Sequence, residues 1–221
     1  MKRNRPDPLS PRKKPQQRRS RVTIDAIFEA AIQVLLAEGL DRITTIQIAE
    51  RAGVSVGSVY QYFPNKRALL AAVVRRHIGE VVDATIVACQ SAHGKSIGEM
   101  CAAMMDAFVT AKARRPEVSR ALYLPTALVN ADAIVKEESA RCARAVHDML
   151  ITASDARFAQ AQEVSGVLVA SLVGPTRAAI EGHADLGAFE GLKHHLTALG
   201  VGYLKEVSTP RGRPAQATFV T

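Results

Sequence analysis

Six hydroxyls and one ammonium crowd into the 23 residues of Thr44–Lys66, TTIQIAERAGVSVGSVYQYFPNK. They belong to Thr44, Thr45, Ser55, Ser58, Tyr60, Tyr62 and Lys66. Such groups donate hydrogen bonds to phosphate oxygens without breaking bonds. Elsewhere the chain offers little for catalysis. It has no Gly-x-Ser-x-Gly, phosphate loop or His-Glu-x-x-His. Cys89, Cys101 and Cys142 lack Cys-x-x-Cys spacing, and His183 and Asp185 are spaced for different helix faces. No enzyme activity, cofactor or metal site is expected.

The elements that must carry the hydroxyl cluster are short helices. Apolar residues recur at three and four positions, and no period-2 alternation occurs, so the chain reads as all-α. A first helix is expected after an N-cap at Thr23, with Ile24, Ile27, Phe28, Ala31 and Leu35 as its stripe and a stop at Gly39. A short helix follows over about 45–52. Gly53-Val54-Ser55 makes a tight turn, and a second short helix runs to about Tyr62 before Pro64 halts it. Two short helices joined by a glycine-containing turn are the helix-turn-helix layout. Ala49 and Ala52 let the helices cross closely, and Val54 and Val59 plug the gap. Ser55 caps the second helix, leaving its first amides outward with the small tip Val56, Gly57 and Ser58, which fits a DNA groove without a clash. Asn65 caps a long helix from Lys66 to about Ser91.

This stretch resembles the DNA-binding domain of the TetR family of bacterial transcriptional regulators. The residues that carry the resemblance are Thr44-Thr45, Ile48-Ala49, Ala52-Gly53-Val54-Ser55, Gly57-Ser58-Val59-Tyr60-Gln61-Tyr62-Phe63 and Lys66. It spans Val22 to about Leu70; beyond that it is architectural. The resemblance implies a DNA-binding set of Thr44, Thr45, Ser55, Val56, Gly57, Ser58, Tyr60, Gln61, Tyr62 and Lys66. Thr45, Tyr60, Tyr62 and Lys66 would hold phosphates, while Val56, Gly57 and Ser58 would enter the major groove. Tyr60 and Tyr62 suit amphipathic packing as well, and Phe63 reads as core. Some family members place a basic residue at the position of Ile46 and use it on a base; here that contact is absent. Direct readout is then sparse, resting on Gln61, on Val56 against a thymine methyl, and on the N-terminal arm.

That arm holds the charge. Of the 221 residues, 1–21 contain nine basic side chains and one acid, the whole of the formal net charge of +8. Such a block reads as a disordered arm that seeks a polyanion, or as a solubilising tail. The expected organisation is a basic arm over 1–21, a three-helix helix-turn-helix domain over 22–67, a larger helical ligand-binding and dimerisation domain over 68–207, and a flexible tail over 208–221. Three cysteines make no disulfide framework, which fits a cytoplasmic home. No apolar run of membrane-spanning length and no signal-peptide pattern is expected.

In the C-terminal region, helices are expected over about 97–113, after Pro116, and over about 131–152, 157–182 and 188–207, with Pro175 kinking the fourth. Val164, Val167, Leu168, Ser171 and Leu172 recur at helical spacing, as do Leu192, Leu196, Leu199 and Tyr203. Two such helices from each subunit make a four-helix dimer interface; the same stripes also suit the subunit's own core. Two-fold symmetry matches half-sites about 34 Å apart on a pseudo-palindromic operator. By resemblance, the middle helices enclose a small-molecule pocket, for which Met100, Met104, Phe108, Tyr123, His147 and Phe158 are candidates, although ordinary core explains the methionines too. The expected function is a homodimeric regulator, a repressor released from double-stranded DNA by a small-molecule effector. The rival is a DNA-binding protein with no such ligand, constitutive or controlled by a protein partner.

Overall fold

The computed structural model describes residues 18–128 and 131–211, and the side chains of residues 20–123 and 131–211. Among the described residues are nine helices and one pair of two-residue strands. In chain order these are α1 (Arg18–Glu38), α2 (Thr45–Ala52), α3 (Val56–Tyr62), α4 (Lys66–Ser91), α5 (Ile97–Ala113), α6 (Pro116–Leu128), α7 (Asp132–Leu150), β1 (Ala156–Arg157), α8 (Ala161–Glu181), α9 (Leu186–Val207) and β2 (Thr209–Pro210). The described chain divides into two units, with breaks inside α4 and α7 and between α5 and α6. The first comprises the residues up to Glu80 together with Arg114–Glu138; the second comprises Val81–Ala113 and those from Ser139 onward.

The first unit is built on α1. Ile27, Ala30, Ala31, Val34 and Leu35 are buried at a helical spacing that draws one continuous stripe. Ile48, Ala49, Val59, Phe63, Leu69, Leu70, Val73 and Val74 join them in one core. Gly39 and Gly53 take the positive φ values of 79° and 67° that end α1 and α2. Asn65 caps α4, its side-chain oxygen accepting from the Ala68 amide at 2.8 Å. One expectation is corrected here. Thr23 lies inside α1, which already begins at Arg18, because the arginines of that turn favour helix and the nearest proline, Pro15, precedes it. The rest of the expected arm, 1–17, lies outside the described residues. In addition, α6 shares the first unit's core through Val118 and Leu122, and Arg115 grips Glu29 of α1 through two hydrogen bonds of 2.9 and 3.0 Å.

The second unit centres on α5, where Ile97, Met100, Cys101, Met104, Met105, Phe108 and Val109 are buried. Helix α9 crosses it closely at Gly200. A Cβ there would sit 2.8 Å from Cys101 Sγ and 2.9 Å from Met105 Cε. Helix α8 starts at Ala161 rather than near 157, because Ala156 and Arg157 pair antiparallel with Pro210 and Thr209. The Arg211 amide also donates to the Asp155 carbonyl at 3.0 Å, and its guanidinium to the Ala153 carbonyl at 2.6 Å. The expected flexible tail is therefore pinned over Thr209–Arg211; 212–221 lie outside the described residues. Pro175 stands inside α8, which continues to Glu181. Helix α8 is long and apolar enough, by length and composition, to cross a membrane, which corrects the expectation that no segment is. Its apolar surplus has another use in this fold: Val164, Leu168 and Leu172 are buried, while Val167 and Val173 are exposed.

Candidate nucleic-acid interface

Helices α2 and α3 present their polar groups through two N-caps. Thr44 caps α2: its hydroxyl accepts from the Gln47 amide at 3.2 Å, and Gln47 Oε1 accepts in return from the Thr44 amide at 2.9 Å and the Thr44 hydroxyl at 2.8 Å. This reciprocal pair is a capping box. Ser55 caps α3, accepting from the Ser58 amide at 3.0 Å, and the two serine hydroxyls share a further hydrogen bond of 2.8 Å. The amino end of α3 is open to solvent: Ser55 and Gly57 are exposed, Val56 and Ser58 half-buried. Only Ser55 Oγ, at 3.7 Å, stands near where a Cβ on Gly57 would lie.

Other cross-links fix the angle between the short helices and their neighbours. The hydroxyls of Thr45 and Tyr60 lie 3.1 Å apart, joining the first turn of α2 to the outer face of α3. Arg51 donates to Gln33 of α1 at 2.8 Å. Lys66 Nζ donates to the Ile43 carbonyl at 3.1 Å and so braces the first turn of α4 against the loop before α2.

The expected DNA-binding residues therefore fall into groups. Gly57, Tyr60 and Gln61 are exposed. Thr44, Ser55 and Ser58 are exposed or half-buried with their hydroxyls engaged in caps. Val56 and Tyr62 are half-buried and pack against the first unit's core, with the Tyr62 ring 6.4 Å from that of Phe63. Lys66 is half-buried and tied to backbone. Sequence reasoning missed Gln47, although the Thr-x-x-Gln spacing announces a capping box. It also dismissed Ile46, which is 56% exposed.

The expected dimer stripe is split by the fold. Val164, Leu168, Leu172 and Leu196 are buried in the second unit; Val167 and Leu199 are 50% and 58% exposed; Ser171, Leu192 and Tyr203 are half-buried. Spacing alone cannot separate these sets, because both lie within one broad apolar arc of each helix. The expected pocket residues are similarly dispersed. Met100, Met104 and Phe108 are buried on successive turns of α5. Tyr123 lies on α6, in the first unit. His147 bonds the neighbouring Asp148 carboxylate at 3.0 Å, and Phe158 lies half-buried in the loop before α8. Burial pushes the thiols of Cys89 and Cys101 up to about 12 and that of Cys142 up to about 11, so they stay protonated at neutral pH. Burial pushes the Lys112 ammonium, at the end of α5, down to about 8. No motif marks that lysine in the sequence. Among the described residues no group of three or more His, Cys, Asp or Glu side chains is arranged to hold a metal ion.

Two family models match the chain. One, described as bacterial regulatory proteins of the tetR family, covers residues 27–73, and the other, a tetracyclin repressor-like C-terminal domain, covers 96–204. An uncharacterized HTH-type transcriptional regulator of Mycobacterium tuberculosis is 39% identical over 56 residues, 25% of this chain and 30% of that protein. The class A tetracycline repressor protein from transposon 1721, of Escherichia coli, is 39% identical over 56 residues, 25% of this chain and 26% of the repressor. The matched segments thus span under a third of these relatives. The crystal structure of a TetR family transcription regulator from Marinobacter aquaeolei shares the fold at a TM-score of 0.62 and 20% identity, over 87% of this chain and 98% of that one.

Proposed function

Because the chain belongs to the tetR family of bacterial regulatory proteins, we propose that it is a DNA-binding transcriptional regulator, a homodimer that occupies a pseudo-palindromic operator. The observation that carries this reading is the open amino end of α3, flanked by the Thr45–Tyr60 hydroxyl pair. A helix end with outward amides and small side chains approaches a phosphate-lined groove at little steric cost. Thr45, Tyr60 and Lys66 hold the backbone, Gly57 and Ser58 enter the groove, and Gln61 reaches a base edge. The exposed faces of α8 and α9 around Val167 and Leu199 supply the dimer contact, in a four-helix arrangement. The regulator acts in the cytoplasm, without catalysis or a metal.

In this reading it represses, and a small molecule bound in the second unit releases it by favouring the conformation with lower DNA affinity. The likeness to a tetracycline repressor supports a ligand. The complete burial of Met100, Met104 and Met105 favours a second reading, in which α5 is solid core and no small molecule binds. Selecting duplexes from a random pool with the purified protein tests the DNA-binding reading: a two-fold symmetric enriched sequence supports it, and no enrichment refutes it. Titrating that complex with a panel of small molecules separates the two readings.

A further inference from the structure

Among the described residues, one buried side-chain hydroxyl makes no hydrogen bond, that of Thr176 on α8, which is 1% exposed. Hydroxyls inside helices commonly settle on a carbonyl of the preceding turn. Thr85 does so on Val81 at 2.9 Å, and Ser171, on the same helix as Thr176, on Leu168 at 2.7 Å. Burying a hydroxyl without a partner is costly, so this one calls for a cause. Gly200 shows what lies along its face. A Cβ there would meet Cys101 Sγ, Met105 Cε and Leu168 Cδ2, so α5, α8 and α9 converge at that level. The Lys193–Asp106 ion pair of 2.9 Å and the short connection between α8 and α9 make α9 antiparallel to both other helices. Helices α5 and α8 therefore run parallel. From the level of Gly200, the buried stripe Cys101, Met105, Phe108 continues at helical spacing to Lys112, and the stripe Leu168, Leu172 continues to Thr176. Lys112 lies about 10 Å beyond Met105 along its helix, and Thr176 about 12 Å beyond Leu168 along its own. The two residues thus share one end of the α5–α8 seam. Burial there pushes the half-buried Lys112 ammonium down to about 8, as expected of a cation short of water. Phe108, Leu172 and Ile180, each one turn away, are apolar and buried.

We propose that this end of the seam binds an organic monocarboxylate: the Lys112 ammonium and the Thr176 hydroxyl hold its carboxylate, and its apolar body lies against Phe108, Leu172 and Ile180. This rests on the reading that a small molecule binds in the second unit. An ionised carboxylate only accepts hydrogen bonds, and both groups here can donate to it. One cation and one neutral donor match a single negative charge, while the apolar neighbours suit a carbon skeleton. A primary amide of the same shape carries no charge and turns a donor toward the ammonium, so the site discriminates against it.

The probes are benzoate, octanoate and their primary amides, titrated into the full-length protein by calorimetry. At least one acid should bind roughly tenfold or more tightly than its amide. Lys112→Met, which keeps the alkyl stem, should bind that acid and its amide alike. Thr176→Val, nearly the same in shape, should weaken the acid about tenfold, the value of one hydrogen bond to a charged group. Without a probe, Thr176→Val should melt no lower than the native protein, since it loses no hydrogen bond; a lower melting temperature would show that the hydroxyl is already satisfied and would overturn the proposal. Amides that bind as tightly as the acids, an acid preference that survives in Lys112→Met, or a loss under twofold in Thr176→Val would each overturn it while the small-molecule reading stands. If no probe binds, the proposal falls, and the small-molecule reading falls with it only when the wider panel also leaves the operator complex unchanged.

Discussion

The phenolic oxygen of Tyr60 stands 3.1 Å from the hydroxyl oxygen of Thr45, so the two helices of the DNA-reading motif are latched to each other on their outer side. Only one hydroxyl of the pair donates to the other. The other hydroxyl hydrogen is left for a further acceptor, such as a phosphate oxygen. Tyr60→Phe should therefore cost about 1 kcal/mol of DNA affinity, roughly fivefold. Since a phosphate contact carries no base information, the loss should be the same on every duplex tested. Fluorescence anisotropy on the enriched operator and on a scrambled duplex checks this, and a loss confined to the operator would count against a backbone role.

The Lys66 ammonium donates to the Ile43 carbonyl and holds α4 against the loop before α2. Its role is thus structural before it is electrostatic. Lys66→Met, which keeps the alkyl stem, should lower unfolding free energy by about 1 kcal/mol. Urea unfolding without DNA measures this directly; unchanged stability would mean that the brace contributes nothing.

Arg115 and Glu29 join α6 to α1 through a two-pronged ion pair, with Glu117 3.8 Å from the same guanidinium. The hydrogen bond from Arg115, more than its charge, holds the Glu29 carboxyl below its ordinary value. A carboxylate depressed on folding stabilises the protein fully above its unfolded pKa and loses that contribution as pH falls through its folded pKa. Both side chains are nearly half exposed, so solvent screens the pair and the effect is small. Arg115→Ala should destabilise the protein at pH 7, and the difference from native should shrink as pH falls below the ordinary carboxylate range. A difference that does not change with pH would show that the pair is not the cause.

Leu199 and Val167 leave large apolar side chains in solvent on the two last helices. If the proposed dimer forms through these faces, Leu199→Glu should yield folded monomers, because its side chain is outside the buried core. Sedimentation velocity reads the mass, and a variant that remains dimeric would place the interface elsewhere.

Local chemistry made much of this molecule legible from its residues. Ser55, Asn65, Gly53 and Pro64 mark the ends of α2, α3 and the start of α4 because caps, left-handed turns and proline act within a few residues. Relationships between distant segments were not legible. Nothing in the sequence says that Val118 and Leu122 belong with α1, that Thr209 pairs with Arg157, or that Lys66 reaches Ile43. Val164 and Val167 have the same residue type and nearly the same phase, yet one is buried and the other half exposed. Thr23 misled for the opposite reason: a residue with a strong capping preference was overridden by the arginine-rich turn before it.

The most direct measurement is the DNA affinity of Gly57→Glu. A Cβ at 57 has only Ser55 Oγ nearby, at 3.7 Å, and the position is exposed, so folding and melting temperature should stay native. If the amino end of α3 enters the groove, the new carboxylate is forced against phosphates, and like charges at an interface cost several kcal/mol, a loss of roughly 100-fold or more. A folded variant that binds the operator as tightly as the native protein would show that this end of α3 does not face DNA.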